Sequence, residues 1–215
     1  MDEQIANKVE KLRLFRQEHI EMGKLFLSAH GGDLYSFDLL AVATLNRSMC
    51  LLRGFCDLML SENFVSAAPL VRLQLDNGLR FFAGWLVLDP HEFALQILKG
   101  KQVKDICDAQ GNKMTDRFLV EQFSQKEDAR YLTLYRQTSG YVHLSNKHMF
   151  NAIGSEGKDG KILLKITDQD AFVPNRLYEE AINSFAAITQ TILKYMYSWA
   201  YTKENPKVAK RDSKK

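Results

Sequence analysis

Apolar residues recur along most of this chain at three- and four-residue steps, the spacing of one buried face on an α-helix. Ile5, Leu12, Phe15, His19, Met22 and Phe26 trace the first such stripe and predict a helix over 2–28. His30-Gly-Gly stops it, and Asp33 is placed to cap a second helix reaching about Leu60. A third is expected from Ser66 to Leu88, with Pro69 in its first turn and Asp89-Pro90 as its end. It is apolar on two flanks: Leu70, Leu73, Phe81, Gly84 and Leu88 on one, Val71, Leu75, Leu79, Phe82 and Leu86 on the other. Two apolar flanks mark a helix at the centre of its bundle.

Shorter helical pieces are expected at 91–98 and 101–108, then one from Thr115 to about Phe123 and one starting near Glu127. The period then changes. Met149–Ile153, a glycine-rich turn at 154–160 and Lys161–Ile166 read as a β-hairpin, a small insertion spanning about 149–167. Pro174 opens a last helix to about Tyr201, with Leu177, Ala181, Phe185, Ile188, Ile192, Tyr195 and Trp199 as its core stripe. The fold class is all-α, a multi-helix bundle with one small hairpin. A single domain covers 1–202, and 203–215 is a disordered basic tail.

Charge sharpens that boundary. The chain carries 29 basic and 26 acidic residues, of which six and two fall in 203–215, so the body is left with 23 and 24. The basicity belongs to the tail, which argues against a broad nucleic-acid-binding face on the body. Cys50, Cys56 and Cys107 sit in apolar or helical contexts and read as buried free thiols of a cytoplasmic protein. No run of about 18 uncharged apolar residues is present, so no membrane span is expected. The glycines of 154–160 lead into a strand, which makes them a hairpin turn and not a phosphate loop. His143 and His148 are five apart, the wrong separation for a metal pair on a helix. No metal site or cofactor motif is found.

The candidate chemistry lies in Tyr135-Arg-Gln-Thr-Ser-Gly-Tyr-Val-His143-Leu-Ser145. If the segment is wholly helical, the seven residues from Arg136 to His143 turn through about 700°, which puts both side chains on one face. Ser139 and Gly140 lie between them. An arginine, a titratable histidine and small residues on one face suit a phosphate. The bland alternative is that His143 bonds Asp76 or a backbone carbonyl and Arg136 pairs with a neighbouring acid. On the third helix, Arg72, Asp76 and Arg80 form a polar strip at i, i+4, i+8. It is either a solvated edge of ion pairs or a buried ladder that must be paired or bind an anion. Arg47, Arg53 and Asp57 admit the same two readings.

Arg47-Ser48, the stretch from Asn63-Phe64 through Ala67-Ala68-Pro69-Leu70-Val-Arg72-Leu-Gln-Leu-Asp76, and Ser139-Gly-Tyr-Val-His143-Leu-Ser145 resemble a bacterial all-helical family over roughly 40–150. That family in turn resembles the HEPN class, whose ribonuclease members carry an arginine followed some four to six residues later by a histidine. Here six residues intervene, and Gln137 follows the arginine where the class often has Asn, Asp or His. The resemblance implies a metal-independent endoribonuclease of a toxin or phage-defence type, using the 2′-OH of RNA as nucleophile. His143 would move the proton and Arg136 would stabilise charge on the phosphate. Ser139, Tyr141 and Ser145 would position phosphate or base, with Arg72, Asp76 and Arg47 as further substrate-binding residues. A homodimer and an antitoxin-type protein partner are also implied. The alternative is a non-catalytic helical module that binds a nucleotide or a protein.

Overall fold

The computed structural model describes residues 2–156, 161–170 and 172–206. The glycines at 157 and 160 and the tail beyond 206 lie outside them. The first predicted helix is two, α1 (Glu3–Arg13) and α2 (Phe15–Ser28), because the chain tightens at Leu14. There the amides of Leu14 and Gln17 bond carbonyls three residues back. Ile5, Val9, Leu12, His19 and Phe26 are buried as the stripe requires. His30 and Gly31 adopt positive φ and end α2. The next helix is capped at Tyr35 and not at Asp33. The Tyr35 amide donates to the Asp38 carboxylate at 2.8 Å, opening α3 (Ser36–Leu60).

α4 (Phe64–Phe82) begins two residues earlier than expected, with the Asn63 side chain accepting from the Ser66 amide. Asp170, arriving from a distant loop, takes the Phe64 amide at 2.6 Å. Pro69 therefore sits at the sixth helical position, beyond the first turn. α4 packs against α3 on one side and three later helices on others, with buried residues all round. Central placement follows from its two apolar flanks, as the pattern predicts.

α5 (Pro90–Leu98) is capped by Asp89, whose carboxylate accepts the His91 and Glu92 amides. The piece expected at 101–108 is only a short 3-10 turn. Thr115 caps α6 (Asp116–Lys126), and α7 (Arg130–Val142) follows. α8 (Asn146–Ala152) takes residues assigned to the first hairpin strand, so the hairpin is shorter than expected: β1 (Ile153–Glu156) against β2 (Lys161–Leu164). Its register pairs Ile153 with Leu164 and Gly154 with Leu163. The long α9 (Asn175–Glu204) closes the bundle across α4, α2 and α1. The architecture is an all-α bundle with one small hairpin.

A polar thread runs through the core. The His19 ring donates from Nδ1 to the Phe15 carbonyl at 2.7 Å, so its Nε2 accepts from Ser48, 2.8 Å away. Gln74 Nε2 donates to Ser48 and Thr189, joining four helices. A second buried cluster ties α9 to α2 and α3. Lys203 Nζ reaches Asp38 at 3.0 Å and the Phe26 carbonyl at 3.0 Å, both side chains of the ion pair being 0% exposed. Trp199 Nε1 donates to the other Asp38 oxygen at 2.7 Å. Lys203, placed in the tail on charge grounds, thus belongs to the core.

Of the thiols only Cys56 is buried, its pKa pushed up to about 11 chiefly by burial; Cys50 and Cys107 are exposed. By length and composition α3 alone among the described helices could cross a membrane. Its apolar face is spent on α1, α2, α4, α5 and α9.

Candidate functional site

α7 presents Tyr131, Thr138 and, half-buried, Leu134, Tyr135 and Ser139 inward, while Arg136 and Gln137 point outward. The helix ends at Val142. His143 has φ −118° and ψ 150°, an extended conformation. The expected face carrying Arg136 and His143 together therefore does not exist. The cause is local: Ser145 caps α8, accepting from the Lys147 amide at 3.3 Å and donating its own amide to His148 Nδ1 at 3.2 Å. A new helix starting at Asn146 needs an extended lead-in, which ends the previous one. Both Arg136 and His143 are exposed. Among the described residues neither makes an ion pair or a side-chain hydrogen bond. The bland pairing to Asp76 or to a neighbouring acid is equally absent.

The Arg72 strip turns inward and is satisfied there. Arg72, 9% exposed, donates from Nε to Asp76 at 3.0 Å and from Nη1 to Ser139 Oγ at 2.8 Å. Its guanidinium lies 3.5 Å from the Tyr135 ring centroid. Ser139 Oγ in turn donates to the Tyr135 carbonyl at 2.9 Å. These contacts use Nε and Nη1 of the arginine on protein acceptors and fasten α4 to α7. Arg80 leaves the ladder and pairs with Asp116 at 2.8 Å.

Ser145 and Tyr141 are also committed. Ser145 Oγ donates to the Gly140 carbonyl at 2.6 Å. Tyr141 packs edge-on against Phe64 and beneath the Lys147 ammonium, 4.2 Å from its ring, and burial raises its hydroxyl pKa. It lines a groove of about 260 Å³ with Lys147, Leu177 and Glu180. A base stacking on Tyr141 would have to displace Lys147, whose Nζ donates to the Gln137 carbonyl at 2.7 Å. Arg47 stands exposed on α3, and Arg53 and Asp57 form an ordinary i,i+4 pair. The structure thus gathers Arg72, Asp76 and Ser139 into one internal cluster and Tyr141 with Lys147 into another. Arg136, His143 and Arg47 belong to neither.

What the periodicity did not show is the state of the surface beyond α7. Val142, Leu144, Met149, Phe150 and Ile153 are exposed, Leu144 to 90%. So are Ile162, Leu163, Leu164 and Ile166. The pairing of Ile153 with Leu164 puts those two and Ile162 on one face of the hairpin. Phe172 covers the opposite face: a Cβ on Gly154 would lie 2.5 Å from its ring. Phe172 thus lies against the face carrying Gly154 and Leu163, and the face carrying Ile153, Ile162 and Leu164 is apolar and open. Among the described residues no cluster of three His, Cys, Asp or Glu side chains suits a metal ion. Comparison with protein-family models, with curated protein sequences and with solved structures gave no match to this chain.

Proposed function

We propose that this chain is a helical interaction module that self-associates through the open edge formed by α8 and the hairpin. The observation that carries this is the concentration of eight exposed large apolar side chains between Val142 and Ile166, leaving out Leu163 on the Phe172 face. At on the order of 100 Å² each they reach about the 800 Å² per partner of a standard interface, well above the patch of a typical monomer. A two-stranded sheet is marginal with one face in water, so packing against a second surface also stabilises the hairpin. A second copy supplies a matching surface by a two-fold axis without further design. Sedimentation of wild type beside Ile162→Lys/Leu164→Glu tests it. Dimeric wild type and a monomeric variant with unchanged helical circular dichroism are expected; wild type that stays monomeric at about 100 µM removes the proposal.

A second reading places RNA cleavage at the same edge, in a cytoplasmic setting. It is favoured by Arg136 and His143, which are exposed and have no partner that would give them a structural task. Arg136 precedes the apolar segment and His143 lies at its start, so association would bring copies of both toward the joint. The HEPN resemblance supplies the chemistry. The test is cleavage of mixed RNA in EDTA by wild type and His143→Ala. Loss in the variant, with 2′,3′-cyclic phosphate ends from wild type, supports the reading; equal cleavage by both, or none by either, removes it.

A further inference from the structure

The tightened turn at Leu14 sets Arg13, the last residue of α1, and Arg16, the second of α2, beside the outward side of α3. With Met49, Cys50, Leu52, Arg53 and Asp57 they line an open cleft of about 500 Å³. That volume is within the range of small-molecule sites. Arg13, Arg16 and Arg53, from three helices, line the cleft together with the Asp57 carboxylate. Asp57 takes Arg13 at 2.8 Å and Arg53 at a loose 3.6 Å, while Arg13 also approaches Glu10 at 3.5 Å. Among the described residues Arg16 makes neither an ion pair nor a side-chain hydrogen bond. Arg53 is 86% exposed on its side chain, so swinging it off Asp57 costs little.

We propose that this cleft binds a phosphate-bearing organic anion. Arg13 remains on Asp57, and Arg16 and Arg53 supply two forks for phosphate oxygens, the geometry guanidinium groups fit bidentately. Arg13 is held by Asp57 and Glu10, so Arg16 and the loosely paired Arg53 leave the cleft positive, which suits a phosphate-bearing anion. Met49 and buried Leu52 give an apolar wall for the body of the ligand. The site lies on α1–α3, on elements separate from α8 and the hairpin, and does not depend on self-association.

Cys50, exposed within the cleft, serves as a built-in reporter. Cys107→Ser removes the other exposed thiol, and Cys56 is buried. Maleimide labelling of Cys50 is followed with and without ADP or inorganic pyrophosphate at matched ionic strength, alongside the melting temperature. At about 10 mM, ten times a millimolar Kd, a ligand leaves roughly one site in eleven empty, so labelling slows about tenfold. Arg16→Glu/Arg53→Glu, both exposed positions, should abolish that slowing and the rise in melting temperature, each protein being compared with itself unliganded. Protection by both probes, or by ADP alone through the apolar wall, supports the site. No protection by either, or protection that survives in the double variant, overturns it.

Discussion

Lys203→Met removes the cation of the buried Asp38–Lys203 pair while keeping most of the side-chain volume. In the native protein Asp38 accepts from Lys203, from Trp199 Nε1 and from the Tyr35 amide, and Lys203 also donates to the Phe26 carbonyl. The variant leaves a carboxylate at 0% exposure with two neutral donors and no counter-charge, and strips the Phe26 carbonyl of its side-chain donor. Breaking one side of a buried pair costs about 3–5 kcal/mol, a large share of a total stability of roughly 5–15. With a urea m-value of about 2–3 kcal/mol/M the midpoint falls by roughly 1–2 M. Urea titrations followed by tryptophan fluorescence measure this, since Trp199 sits on Asp38. The additional change Asp38→Asn should recover part of the loss, because the buried charge then disappears. A loss under about 1 kcal/mol that shrinks further in salt would be the signature of an exposed pair. That result would refute the burial of Lys203 and return it to the tail.

Burial holds the His19 pKa below its usual 6.5, against the opposing pull of the Phe15 carbonyl and Glu18. The folded state therefore resists the proton that the unfolded chain accepts. The stability contributed is complete above about pH 6.5 and falls by up to ~1.4 kcal/mol per pH unit below it, until the folded pKa is passed. Urea midpoints at pH 7.5 and 5.5 should diverge in wild type and much less in His19→Gln; equal slopes would sink the assignment. Gly84→Ala places a methyl 2.4 Å from the Phe37 ring, within a stacked aromatic cluster, and should cost about 1–3 kcal/mol by thermal melting. A variant as stable as wild type would mean that Phe37 moves aside freely.

The candidate site divided along physical lines. The arginine strip on α4 was legible, but whether it faced water or protein was not. An i,i+4 spacing looks the same in both settings, and only the approach of Tyr135 and Ser139 from α7 turns it into an internal rivet. The face proposed for Arg136 and His143 failed at one residue. Ser145 is a strong N-cap, and reading it as the start of α8 would have ended the preceding helix before His143.

The sequence by itself determined most of the helices and the central place of α4, because apolar periodicity and capping residues act over a few positions of chain; it did not show the break at Leu14 or the loss of the piece at 101–108. It also determined that a small hairpin would stand at about 149–167, although α8 takes the residues read as most of its first strand. Tertiary structure alone decided which surfaces are covered. Lys203 is buried because α9 runs a turn past Trp199 into the pocket between Phe26 and Asp38, and the hairpin face stays open because no other element of the described chain reaches it. A side-chain pattern states which face is apolar; which neighbour buries it depends on contacts between residues more than a hundred positions apart.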